Sequence, residues 1–203
     1  MEPETILSVV AVLCAIFALF QTVWQVKVSN KQSLFDFRLQ LFLEFKSLNQ
    51  LYEDNINILN SILNENYDMV EMLCPNLMNS IYLEECCEAF VEPLKDYRHK
   101  IFLKKREELR EKSLKAEMLF NKKYSSVVSE FIKLYEQLLH KLYQFRIVIE
   151  KRNVASLEEN KEWCKKYCNQ LGFKELIEKM HLLFYEIKDK NIIEKIKKDI
   201  NII

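Results

Sequence analysis

The sequence predicts an all-α fold, with one N-terminal transmembrane helix continuing into a cytoplasmic helical bundle. Three observations lead there. The 203 residues include one glycine and three prolines, too few for the tight turns that sandwiches, barrels and wound sheets require. From Ile6 to Phe20 every position except Ser8 is apolar. Further along, apolar residues recur at helical spacing, as at Phe131, Leu134, Leu138, Leu142 and Phe145. With 49% apolar and 30% charged residues, a packed core is expected and wholesale disorder is not.

The N-terminal segment sets the domain organisation: a transmembrane helix over residues 1–30 and a cytoplasmic helical domain over 31–203. At 1.5 Å rise per residue, Thr5 to Val26 spans about 30 Å, the thickness of a hydrocarbon core. A cleaved signal peptide would need a basic start and a small-x-small cleavage site, whereas this chain opens with Glu2 and Glu4 and continues into Gln21-Thr-Val-Trp24. Positive charge follows the span at Lys27, Lys31 and Arg38 and none precedes it, which places the N-terminus outside and the large domain in the cytoplasm. Trp24 suits an interfacial anchor, and the six cysteines are expected to be free thiols in a reducing compartment.

One face of the span is unlike the rest. Ser8, Ala11, Ala15, Ala18, Thr22, Gln25, Ser29 and Gln32 recur at alternating three- and four-residue spacing and form a small and polar stripe. Small residues let membrane helices approach closely, and Gln side chains hydrogen-bond across such contacts. The stripe is therefore the candidate helix–helix or pore face of a homo-oligomer in the lipid bilayer. A lone anchor with an ordinary share of alanine is the plainer alternative.

Beyond Val26 nothing reads as a linker, so the span is expected to run on as one helix to about Asn64. Alternation of Phe35, Phe37, Leu39, Leu41, Leu43 and Phe45 resembles a strand, but Phe42 breaks it and Leu, Gln and Glu favour helix. Read as a helix, Asp36, Gln40, Glu44 and Ser47 gather on a polar face, and Arg38 falls among Leu34, Phe42 and Phe45. An arginine there needs a carboxylate. Asp36 and Arg38 are accordingly read as structural ion-pairing residues, with Glu84, Glu85 or Glu88 as the expected partner of Arg38. Later helices are expected up to Cys74, where Pro75 stops the chain, over Met78 to Val91, and from Pro93 to about Lys115. A further helix is expected to open on the Ser156-Leu-Glu-Glu159 capping box and to end at Gly172. Two more follow, over Phe173 to Ile187 and Ile192 to Ile202.

Charge is unevenly spread. Ser47 to Glu92 holds nine acidic residues and no Lys or Arg, while Lys95 to Lys123 holds eleven basic residues and five acidic ones. The two stretches are expected to pack against each other. Alternatively, Lys104, Lys105, Arg106 and Arg110 face an anion such as RNA or a lipid headgroup.

Chemistry is sparse. Cys164 and Cys168 are four apart, but no other Cys or His completes zinc-finger spacing, and they are read as core residues. With one glycine no phosphate-cradling loop can form, and no motif surrounds His99, His140 or His181. No catalytic residue, metal or cofactor is assigned, and no small-molecule substrate is evident. The HEPN ribonucleases, which are small helical bundles, carry an Arg, four to six residues, then a His. No histidine here has an Arg at that distance, and Arg98-His99 are adjacent.

The segment Lys31-Gln-Ser-Leu-Phe-Asp-Phe-Arg38 just inside an N-terminal span resembles a juxtamembrane pattern of bacterial single-span proteins. The overall plan resembles the membrane-pore accessory proteins of RNA-targeting CRISPR systems. The resemblance implies a HEPN-like helical domain, a bacterial inner-membrane location and assembly into a ring. It also implies a non-enzymatic role in antiphage defence through altered membrane permeability. The other expectations are a membrane-tethered RNA-binding or RNA-cutting domain and a scaffold for a cytosolic defence effector protein.

Overall fold

The computed structural model describes the backbone of residues 3–151 and 157–201, and the side chains of 12–151 and 158–200. Among these residues there are nine α-helices and no strand. The first, α1, runs unbroken from Pro3 to Asp54. Over 52 residues it meets neither Gly nor an internal Pro, so nothing in the backbone interrupts its hydrogen bonding. It stops at Asn55, whose side-chain amide donates to the Leu51 carbonyl at 2.9 Å and competes with the helical pattern.

The chain then folds back as α2 (Ile56–Leu63), a 3₁₀ turn (Tyr67–Met69), α3 (Val70–Asn76) and α4 (Glu84–Val91). The break at Asn55 divides the helix expected to reach Asn64. Pro75 sits in the last turn of α3 instead of beyond it, where its missing N–H costs one bond. Residues 78–83, expected to be helical, are turns: Ser80 hydrogen-bonds Ser47 across to α1 at 2.9 Å and accepts from the Tyr82 N–H. Pro93 lies in the loop before α5 (Asp96–Leu119), which starts three residues later than expected.

α6 (Ser125–Lys151) is the central helix, packing against α1, α3, α5, α7 and α8. Phe131, Leu134, Leu138, Leu142 and Phe145 are all buried, as their spacing predicts. Phe131 meets Phe45 and Tyr52 of α1 edge-to-face at 5.8 and 5.9 Å, fixing the upper part of α1 to the core. Tyr143 stacks on Phe102 of α5 at 3.9 Å, and the fully buried Tyr135 donates to the Leu77 carbonyl at 2.6 Å. α7 (Leu157–Leu171) and α8 (Phe173–Asp189) join at Gly172, whose φ of +63° is the left-handed conformation only glycine adopts without cost. The capping box at Ser156 lies outside the described residues. α9 (Ile192–Asn201) buries Ile192, Ile196 and Ile200 and runs back along α1.

A continuous α1 with the bundle packed on its second half leaves its first half standing alone.

Candidate membrane span and its junction with the bundle

Among the described residues, nothing covers α1 between residues 12 and 27. Val12, Leu13, Ile16, Phe17, Leu19, Phe20, Val23, Trp24 and Val26 are 45–71% exposed. This is the one helix among the described residues that is long and apolar enough to cross a membrane, and none of its most apolar window is buried. A core helix of a soluble domain would be covered, and this part of α1 is not. Burying nine such side chains at about 1.5–3 kcal/mol each would contribute on the order of 15–25 kcal/mol. An uncovered stretch of this size lies far above the few hundred Å² of contiguous apolar surface that soluble monomers tolerate.

The stripe residues Ala15, Ala18, Thr22, Gln25, Ser29 and Gln32 keep to one face of the unbroken helix, and all are exposed. Ser8 and Ala11 belong to the same helix, but their side chains lie outside the described residues. The Thr22 hydroxyl donates to the Ala18 carbonyl at 2.8 Å. That bond satisfies the hydroxyl within the helix, so Thr22 is tolerable in lipid and need not seek a partner.

Above the span, the polar face of α1 is divided: Asp36 and Gln40 stay exposed, and Glu44 and Ser47 lie in an interhelical seam. Glu44 is 2% exposed and accepts from Lys112 of α5 at 2.7 Å, and Ser47 is engaged by Ser80. Phe42 and Phe45 are buried on the neighbouring face. Arg38 departs from expectation. It lies beside Tyr124 and Asp199 in a cleft of about 380 Å³ that Met118, Phe120, Asn121 and Ile196 also line. Its Nε is buried without a hydrogen-bond partner. Glu84, Glu85 and Glu88 are elsewhere: Glu85 faces Lys105, and the Glu88 carbonyl accepts from Arg98. Neither Arg38 nor the exposed Asp36 has a carboxylate or ammonium partner among the described residues, so ion pairing is not what holds them. The reason is topological: α9 and the α5–α6 turn, far away in sequence, occupy the side of α1 that Arg38 faces.

The basic stretch on α5 is largely neutralised. Arg106 Nε meets Glu136 Oε1 of α6 at 2.5 Å, with the Glu136 side chain 2% exposed and that of Arg106 12%. Arg110 reaches the same oxygen at 3.5 Å and Glu107 at 2.7 Å. Lys105 lies between Glu85 and Glu108, at 3.8 and 3.1 Å. Lys104, 3.9 Å from Glu108, is the most exposed of the four, and Arg110 is half exposed. The acidic stretch contributes Glu85 and Glu92 to α5, the latter pairing with Arg98 at 2.9 Å. The two most buried carboxylate partners, Glu44 and Glu136, come from outside that stretch.

The histidines serve packing. His140 is half-buried beside Arg106, its Nδ1 has no partner, and burial lowers its pKa. His181 also sits below its ordinary value through burial. Its two ring nitrogens face the Tyr52 hydroxyl at 2.6 Å and Asn60 Oδ1 at 2.9 Å, joining α8 to α1 and α2. His99 stacks on Tyr143. Cys164 and Cys168 are buried on the core face of α7, and burial pushes the Cys168 thiol up; the Cys74 and Cys86 thiols are pushed up to about 12. No group of three or more metal-ligating side chains assembles among the described residues.

Comparison with models of protein families, with characterised proteins and with solved structures finds no match to this chain.

Proposed function

We propose that this chain is a single-span membrane protein that self-associates through the small and polar stripe of α1 and thereby alters membrane permeability. One observation carries the reading: the mainly apolar stretch of α1 over residues 12–26 projects from the bundle with every side of it uncovered. Lipid covers such a surface fully, and the charge asymmetry at Lys27, Lys31 and Arg38 orients the bundle toward the cytoplasm. The stripe at Ala15, Ala18, Thr22, Gln25 and Ser29 supports helix–helix contact within the bilayer. In a ring, Thr22 and Gln25 line the axis; the setting in antiphage defence follows from the resemblance in plan alone.

The competing reading, an RNA-binding bundle, draws less support. All four cations lie within 4 Å of a carboxylate, Arg106 and Lys105 are largely covered, and only Lys104 and Arg110 are exposed.

The test is the mass of the full-length protein in nanodiscs by native mass spectrometry, combined with ion leak from liposomes. A discrete oligomer is expected, with leak that Thr22→Leu plus Gln25→Leu reduces. A monomer, or a double variant that changes neither assembly nor leak, refutes the reading.

A further inference from the structure

The α5–α6 hairpin is aimed back along α1 toward the span. Lys112 meets Glu44; further down α5, Lys115 and Leu119 share a cleft with Phe37 and Leu41; and Met118, Phe120, Asn121 and Tyr124 line the cleft that holds Arg38. Each step along α5 therefore descends α1, and the turn between α5 and α6 is the part of the hairpin nearest the span.

That turn is built to present its middle. Phe120 and Tyr124 are buried, whereas Asn121, Lys122 and Lys123 between them are exposed. The Asn121 carbonyl accepts the N–H groups of Tyr124 and Ser125, and Asn121 Oδ1 accepts the Lys123 N–H at 3.1 Å. The Tyr124 hydroxyl donates to Asp199 and ties the turn to α9. Neither Lys122 nor Lys123 has a carboxylate partner among the described residues, unlike most cations of α5. One turn back, Met118 is 83% exposed. Of the carboxylates at this end, Asp199 and Glu117 each accept a hydroxyl hydrogen bond, from Tyr124 and Ser129, and Asp36 on α1 is exposed and is outnumbered by Lys27, Lys31, Lys122 and Lys123. Lys27 and Lys31 on α1 add positive charge on the same side.

We propose that this end of the bundle docks on anionic lipid headgroups, with Lys122 and Lys123 supplying the charge and Met118 the apolar contact. The proposal rests on the reading of α1 as a span. From Val26 to Arg38 is twelve residues, about 18 Å along the helix. Headgroups fill about 5–7 Å of that, leaving about 12 Å. A helix tilt of about 20° lowers a hairpin lying about 10 Å to one side by about 3 Å more. Extended lysine side chains close most of the rest, and what remains is shorter than the Debye length of about 8 Å at physiological salt. Docking would hold the bundle at one angle to the bilayer, where a single helix alone leaves it free to rock.

The experiment is backbone hydrogen exchange of the full chain in nanodiscs of phosphatidylcholine, with and without phosphatidylglycerol. Exchange over residues 118–124 is expected to slow by about fivefold or more in the anionic discs. The effect should vanish in high salt and in Lys122→Glu/Lys123→Glu, and weaken in Lys122→Gln/Lys123→Gln. Equal exchange in both lipids overturns the proposal. So does protection that ignores lipid charge and grows with the number of chains per disc, which would mark a contact between copies. Failure of the chain to enter discs at all would overturn the span reading, and this proposal with it; normal insertion with equal exchange sinks the docking surface alone.

Discussion

Replacing Arg106 by methionine tests whether the basic stretch of α5 is structural. The guanidinium lies 2.5 Å from a Glu136 carboxylate that is 2% exposed. Removing one member of a buried pair typically costs about 3–5 kcal/mol, because the other charge is left in a poorly solvating site. Here Arg110 remains 3.5 Å from the same oxygen and is half exposed. The cost is therefore expected at the lower end, about 3 kcal/mol. For a domain of this size each kcal/mol moves the midpoint by about 2–4 °C, so Tm should fall by about 6–12 °C. The double variant Arg106→Met/Glu136→Leu removes both charges and fills the space with apolar atoms. It should recover to within about 1 kcal/mol of the parent. Melting of the full chain in detergent micelles, followed by far-UV circular dichroism, reads both values. A single variant within about 2 °C of the parent, or a double variant no better than the single one, refutes the argument.

Two further predictions concern the core. Tyr135→Phe leaves the Leu77 carbonyl without its donor in a fully buried site and should cost about 1–2 kcal/mol, read as a lower urea midpoint; an unchanged midpoint would show that this bond contributes nothing. His140 and His181 both take up a proton less readily in the folded protein than at the ordinary value of 6.5, because burial disfavours the cation. The unfolded chain then binds more protons below that value. Stability is full above about pH 7, falls as pH drops through the window between the unfolded and folded values, and levels off below it. The measurement is the urea midpoint as a function of pH, and His140→Gln/His181→Gln should flatten the curve in that window. An unaltered slope in the double variant would mean other groups cause it.

Local pattern made several parts of this protein readable from the chain. The apolar run before Lys27 and the near absence of glycine are properties of consecutive residues, and so is the stripe of α6. Each follows from the rise and periodicity of a helix without reference to any other element. The long α1 was legible for the same reason, since nothing between Val26 and Phe45 breaks a helix. The stop at Asn55 was not: asparagine ends a helix only where its side chain wins the competition with the backbone, and neighbouring asparagines at positions 57, 60 and 64 carry no distinguishing mark.

The composition between Met78 and Leu83 permits a helix, but Ser80 finds Ser47 thirty-three residues away and the chain follows that contact into turns. Glu44 and Asp36 looked equivalent on one polar face. Tertiary packing buried the first against Lys112 and left the second in solvent. Charge alone points Arg38 to Glu84, Glu85 and Glu88, yet it lies beside Tyr124 and Asp199, because helix order around α1 decides its neighbours. The cluster at Lys104 to Arg110 shows the same division. Its positive charge is written in the sequence, but whether that charge is available depends on Glu136, thirty residues further on and placed opposite Arg106 by the packing of α6 on α5. The sequence by itself therefore determined which segments are helical and which helix has an apolar surface too large to leave in water. Only the tertiary structure decided which charges are spent on one another and which, at Lys122 and Lys123, remain free, because pairing energy depends on distances that no local pattern contains.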